Sequence, residues 1–84
     1  MIKVVATFDT GLAGHAFKGI GSGRSVEAAA LNAYRDAGFT SGVSAQIVND
    51  AGSGRYGVRF AYRVRPRGVT IQSAVWNLQI IKGA

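Results

Sequence analysis

An arginine stands at almost every second position of residues 55–67, and this alternation constrains the fold most. The apolar set of one parity is Tyr56, Val58, Phe60, Tyr62 and Val64, and the basic set of the other parity is Arg55, Arg59, Arg63, Arg65 and Arg67. Successive side chains of a β-strand point to opposite faces of its sheet. A strand over residues 56–65 would therefore bury the apolar set and leave one sheet face lined by arginine.

The remaining patterns predict four more strands and one helix. The predicted strands cover residues 2–8, 15–20, 43–50 and 69–81, with the last one long enough to be bulged. Ser25 is a suitable N-cap, Glu27 falls in the first helical turn, and Gly38 follows the last turn, so the helix should span about residues 25–37. The predicted fold is α+β: a single antiparallel β-sheet of four to five strands, covered on one face by one α-helix, in the order β-β-α-β-β-β.

The length of 84 residues predicts a single domain over residues 1–84. The chain has no cysteine, which excludes disulfide bonds and thiolate metal sites and favours a reducing, cytoplasmic compartment. No apolar run approaches the roughly 18 residues of a membrane span, so we expect no membrane contact.

The formal net charge of +6 is concentrated in the C-terminal part of the chain. The basic and acidic residues of positions 1–50 cancel, whereas positions 51–84 contain no acid. The basic residues there are Arg55, Arg59, Arg63, Arg65, Arg67 and Lys82. Such a one-sided excess is typical of a surface that meets an anionic partner, although a solvated sheet face or a face that meets protein would also be polar.

The register of the last hairpin decides where its apolar residues lie. If Pro66 and Arg67 are the central turn residues, Val64 pairs with Val69 and Arg59 with Ala74. Three large residues then lie on the arginine-lined face as a candidate interface: Trp76, Leu78 and Ile80. An apolar patch on that face, next to an exposed last strand, predicts a homodimer, and Trp76 could also stack on a nucleobase. A bulge near Ser73 would instead turn Trp76 inward.

A glycine-rich segment, residues 19–25, precedes the predicted helix. We interpret it as a loop whose backbone N–H groups, together with Arg24, could hold an anion; the alternative is that its glycines only permit a tight entry to the helix. Residues 21–25, Gly-Ser-Gly-Arg-Ser, followed by Ala29 and Ala33 resemble the start of the last helix in double-stranded-RNA-binding domains and the loop–helix step of HicB-type antitoxins. The resemblance implies a phosphate contact at the helix N terminus, but Val26 and Glu27 stand where the RNA-binding family carries lysines.

The residues that could perform catalysis are sparse. His15 is the single histidine, and the four acidic residues are scattered over the chain without paired-carboxylate, triad or metal-ligand spacing. We therefore expect no enzyme, no cofactor and no small-molecule substrate.

The preferred hypothesis is a small basic binding module that contacts nucleic acid or a nucleoprotein through the arginine-lined face. One alternative is an inhibitor that binds a host protein complex, since in size and architecture the chain resembles phage-encoded anti-CRISPR proteins. The other is a structural subunit that buries this face in a homo-oligomer.

Overall fold

A computed structural model describes residues 1–65 and 68–82, which form five strands and one helix. In chain order the elements are β1 (Ile2–Asp9), β2 (Ala16–Gly23), α1 (Val26–Asp36), β3 (Gly42–Gly52), β4 (Arg55–Val64) and β5 (Val69–Lys82). The strands form one antiparallel sheet in the order β2-β1-β5-β4-β3, with α1 packed on one face. The predicted α+β fold and its element order are therefore confirmed.

Helix α1 begins and ends where the sequence predicts. The Ser25 hydroxyl accepts a hydrogen bond from the backbone N–H of Ala28 at 3.1 Å, which caps the N terminus. After the last turn Gly38 adopts a φ of +112°. The N–H of Phe39 then donates to the carbonyl oxygen of Tyr34 at 3.3 Å, and the two rings stack with centroids 4.7 Å apart. This Schellman ending turns the chain back toward β3.

Strand β2 lies very close to α1 because glycine occupies alternate positions on its helix-facing side. A β-carbon on Gly21 would collide with the backbone of Ala29 and Ala33, and one on Gly23 would lie 2.6 Å from the nitrogen of Ala29. Alanine on the helix and glycine on the strand thus let the two backbones touch. The predicted loop conformation is therefore wrong for residues 19–23, which belong to a strand and whose glycines serve packing, while anion binding by Arg24 and the start of the helix stays a prediction.

Side chains of α1 also occupy backbone groups of β2, which is an edge strand of the sheet. The Ile20 N–H donates to Oδ2 of Asp36 at 2.9 Å, and Nδ2 of Asn32 donates to the carbonyl oxygen of Ser22 at 2.7 Å. The other edge is β3, while β5 lies in the middle between β1 and β4. The expectation that the last strand offers its backbone to a second copy is therefore wrong.

Strand β5 contains a β-bulge opposite Phe60. Arg59 pairs with Val75 and not with Ala74, because Ser73 and Ala74 together face Phe60. The Ser73 hydroxyl accepts the N–H of Phe60 at 3.0 Å and donates to the carbonyl oxygen of Ala74 at 2.7 Å. A side chain therefore satisfies the backbone group that the inserted residue would leave unpaired.

The bulge reverses the two faces of the C-terminal half of β5. The hairpin starts in the expected register, with Val64 opposite Val69; its predicted central turn residues, Pro66 and Arg67, lie outside the described residues. Beyond the bulge Trp76 and Leu78 are 3% and 2% exposed in the core, and Ile80 packs against it. Their predicted position on the arginine-lined face is wrong, because one inserted residue shifts the side-chain period by one.

Aromatic rings fill the core near the C-terminal end of α1, with Trp76 among them. The rings of Tyr34, Phe39 and Phe60 meet the Trp76 ring edge-on, with centroids 5.2, 5.5 and 5.7 Å away. Phe8 stacks on it at 5.6 Å. Such edge-to-face and offset arrangements are favourable for aromatic quadrupoles, so this cluster fixes the end of α1 on the sheet.

Candidate nucleic-acid interface

The open face, meaning the sheet face opposite α1, carries the arginines of β4. Arg59 and Arg63 are exposed there, while Val58 and Phe60 are fully buried on the helix side. Tyr56 and Tyr62 are half-buried on that side. The alternation predicted for β4 is therefore present, although burial weakens toward the end of the strand at Val64.

Two lysines outside the predicted site share the open face. Lys3 neighbours the buried Val4 on β1 and so points the other way. Lys18 pairs with Thr7, which has the same parity as Lys3. The sequence contains a signal for both lysines. Lys3 alternates with the apolar residues of β1, and residues that pair across antiparallel strands share a face, so the register of the β1–β2 hairpin places Lys18 on the same face.

The acidic residues lie on the rim of the sheet or on the helix. Asp9 and Asp50, near the ends of β1 and β3, each accept the N–H of the residue two positions later, at 2.8 and 2.9 Å. Glu27 and Asp36 belong to α1. The open face is therefore basic between its rims, through Lys3, Lys18, Arg55, Arg59 and Arg63.

Neutral polar groups surround Arg55 in a groove of about 450 Å³. Nε of Arg55 donates to Oε1 of Gln79 at 3.2 Å, and Nε2 of Gln79 lies 3.4 Å from the carbonyl oxygen of Ser53. These contacts hold one edge of the guanidinium in place. The groove lining includes Val5, Thr7, Asn49, Arg55, Asn77 and Gln79. Amide and hydroxyl groups beside a fixed guanidinium suit hydrogen bonding to an anion.

The aromatic residues lie away from the open face. The four Phe, three Tyr and one Trp of the chain pack in the core or on its helix side. Trp76 is thus not placed to stack on a nucleobase, and the patch proposed as an interface with Leu78 and Ile80 does not exist. The homodimer stays a prediction that has lost the patch on which it was based.

The other predicted site residues lie at different ends of the sheet. Arg65 is exposed directly after β4, close to Arg63. Arg24 is exposed after β2, at the end of the sheet where β1 begins, and so lies apart from both. Arg67 lies outside the described residues. The structure therefore aligns Arg55, Arg59 and Arg63 along β4, and β1 and β5 lie between this row and the strand that leads to Arg24.

Tyr34 lies beside an apolar groove of about 330 Å³ on the helix side of the sheet. Burial raises the pKa of its phenol above the ordinary value, and charge repulsion from the neighbouring Tyr62 raises this pKa further. The folded chain therefore favours the neutral phenol. The groove is lined by Phe8, Phe17, Tyr34, Phe39, Tyr62, Ser73, Ala74 and Trp76.

We expect part of the stability to be lost at alkaline pH through Tyr34. Its contribution is complete below the ordinary tyrosine pKa of about 10 and disappears as the pH rises through the higher folded-state pKa, because the unfolded chain loses this proton first. Urea midpoints measured from neutral pH to about pH 11 should fall less steeply in Tyr34→Phe. Tyr56→Phe is the control and should keep the steeper fall; equal slopes in both variants would contradict this assignment.

Residues 1–65 and 68–82 contain no group of three or more His, Asp or Glu side chains that could hold a metal ion. Within the same residues, α1 has neither the length nor the apolar character needed to span a membrane. Comparison with known proteins gives no match: no family model matches the chain, and no curated protein or solved structure is significantly similar to it.

Proposed function

We propose that this chain is a small non-enzymatic binding module that contacts the phosphate backbone of a nucleic-acid duplex through the open face. One observation carries the proposal: the lysines of β1 and β2 and the arginines of β4 share this face. Glu27 and Asp36, by contrast, lie on the helix behind it. A face with one sign of charge attracts and orients a polyanion.

The spacing of the β4 arginines fits this partner. Arg55, Arg59 and Arg63 follow one another at intervals of four residues, which corresponds to about 13 Å along a strand. The major groove of B-DNA is about 12 Å wide. Neighbouring arginines are thus spaced to reach phosphates on both sides of a groove, and the planar guanidinium bonds phosphate oxygens in pairs.

The position of the aromatic residues favours a duplex over a single strand. Proteins that hold single strands usually stack bases on aromatic side chains. The aromatic rings of this chain pack in the core or on its helix side, so the open face offers charge and hydrogen bonds but no stacking platform. Charged and hydrogen-bonding groups of this kind recognise the phosphate backbone of a duplex and its shape.

Fluorescence-anisotropy titration of a labelled duplex over a series of salt concentrations tests the proposal. The affinity should fall steeply with salt, and Arg55→Gln combined with Arg59→Gln should flatten the log–log slope by up to about 1.8, since each lost phosphate contact contributes about 0.9. The matched control combines Arg24→Gln with Ala28→Glu, which changes the net charge equally but off the open face. An equal loss in the control would mean that net charge alone governs binding.

A protein-binding inhibitor is the second candidate, because aliphatic side chains stand among the basic ones. Ile20, Val48 and Val75 are 43%, 44% and 42% exposed on the open face. Such residues would anchor a protein partner with weak salt dependence. If the unmodified chain fails to bind any duplex at low salt, this second candidate replaces the first.

A further inference from the structure

A second basic feature lies where β3 begins and β4 ends. Arg35 from α1, Arg63 from β4 and Arg65 after it line a cleft of about 330 Å³. The other lining residues are Ser41, Gly42 and Val43, so no acidic side chain contributes to the described lining. Arg35 had no predicted role, because only the folded chain brings the helix end next to β4.

The walls of the cleft are fixed by hydrogen bonds. Nε and Nη2 of Arg35 both donate to the carbonyl oxygen of Gly42, at 3.3 and 3.0 Å. Gly42 is itself confined, since a β-carbon there would lie 2.8 Å from Cδ2 of Tyr34. The N–H of Arg63 donates to the carbonyl oxygen of Ser41 at 3.0 Å. The helix end, β3 and β4 are therefore tied together around the cleft.

The charge and donors of the cleft define its ligand class. A guanidinium has five N–H donors, and the described bonds of Arg35 engage only its Nε and Nη2 side. Three arginines around one cleft repel one another, and an anion bound between them would offset that repulsion. A phosphate monoester carries about −1.5 to −2 charges near neutral pH, more than the single charge of a backbone diester.

We propose that this cleft binds a phosphate monoester, and that in the complex described above it holds the terminal phosphate of a nucleic-acid strand. The role in holding a terminal phosphate rests on the proposed function. The cleft lies at the end of the arginine row of β4, so a strand that follows Arg55, Arg59 and Arg63 reaches it last. Phosphodiesters then contact the row, and the terminal dianion enters the cleft.

Titration with inorganic phosphate tests the cleft without nucleic acid. In ¹⁵N-resolved NMR spectra the amide signals of Ser41, Gly42 and Arg63 should shift and saturate with phosphate, while sodium chloride of equal ionic strength should leave them in place. Arg65→Gln should weaken phosphate binding about tenfold, the usual scale for one charge-assisted contact. Arg24→Gln, at the opposite end of the sheet from the cleft, should leave these phosphate-induced shifts unchanged. Absence of saturable shifts would overturn the cleft as a site.

Duplexes with 5′-phosphate, 3′-phosphate or hydroxyl ends distinguish the sources of the phosphate. A duplex with a phosphate at one type of end should bind about tenfold more tightly than the hydroxyl-ended one, and Arg65→Gln should abolish this difference. Equal affinities with intact inorganic-phosphate binding would overturn the terminal-phosphate role and leave free phosphate as the ligand. If no duplex binds, the proposed function fails, and the inorganic-phosphate titration still decides the cleft.

Discussion

Gly21→Ala is expected to leave the chain unfolded. The new β-carbon would collide with the backbone of Ala29 and Ala33, which cannot move without separating α1 from β2. We expect a loss above about 5 kcal/mol, which matches the lower end of the total stability of a small domain. Circular dichroism should show no cooperative thermal transition.

The matched control is Gly57→Ala, a strand glycine that faces the other side of the sheet. Its β-carbon would lie 3.2 Å from Cγ1 of Val75 and 3.3 Å from Cβ of Asn49. Because small shifts of these neighbours relieve the contact, the variant should fold with a modest loss of stability. A folded Gly21→Ala variant with a melting temperature near that of Gly57→Ala would show that α1 does not lie so close to β2.

Trp76→Ala should destabilise the chain by about 3–5 kcal/mol, the usual range for truncating a buried large aromatic residue. The ring is 3% exposed and contacts Tyr34, Phe39 and Phe60. Its neighbour Val75 is 42% exposed on the open face, so Val75→Ala should cost less than about 1 kcal/mol. Urea denaturation followed by circular dichroism measures both.

These neighbouring substitutions together test the bulge. Without the inserted residue opposite Phe60, Val75 would point inward and Trp76 outward. The order of the two losses in stability would then reverse. Strong protection of Trp76 fluorescence from acrylamide in the unmodified chain is a further expected result.

Local chemistry made the helix and β4 predictable from sequence. Ser25 and Gly38 are residues whose side chain or backbone freedom suits the two ends of a helix, and the structure uses both as caps. The alternation in β4 separates apolar from basic residues so sharply that only one register places the apolar set inside. This alternation also predicts the position of the three β4 arginines of the candidate site, whereas the two lysines come from other strands.

Features that depend on contacts between distant segments were missed. The β5 bulge depends on the Ser73 hydroxyl meeting the N–H of Phe60, and a serine in a strand does not signal this by itself. The glycines of β2 have the composition of a loop, and only their spacing of two, set against the helix alanines, indicates a packing surface. Arg35 could not be assigned to the cleft because it is far from Arg63 and Arg65 in the sequence, and only the folded chain brings the end of α1 close to the end of β4.

The two edge strands differ in how far helix side chains occupy their backbone groups, and this difference limits how copies of this chain could associate. The helix side chains of Asp36 and Asn32 occupy polar backbone groups of β2, so this edge is a poor template for an added strand. Addition of a strand is therefore favoured along β3. Two copies joined there would present a partly occupied β2 edge at each end, which disfavours growth from a pair into a filament.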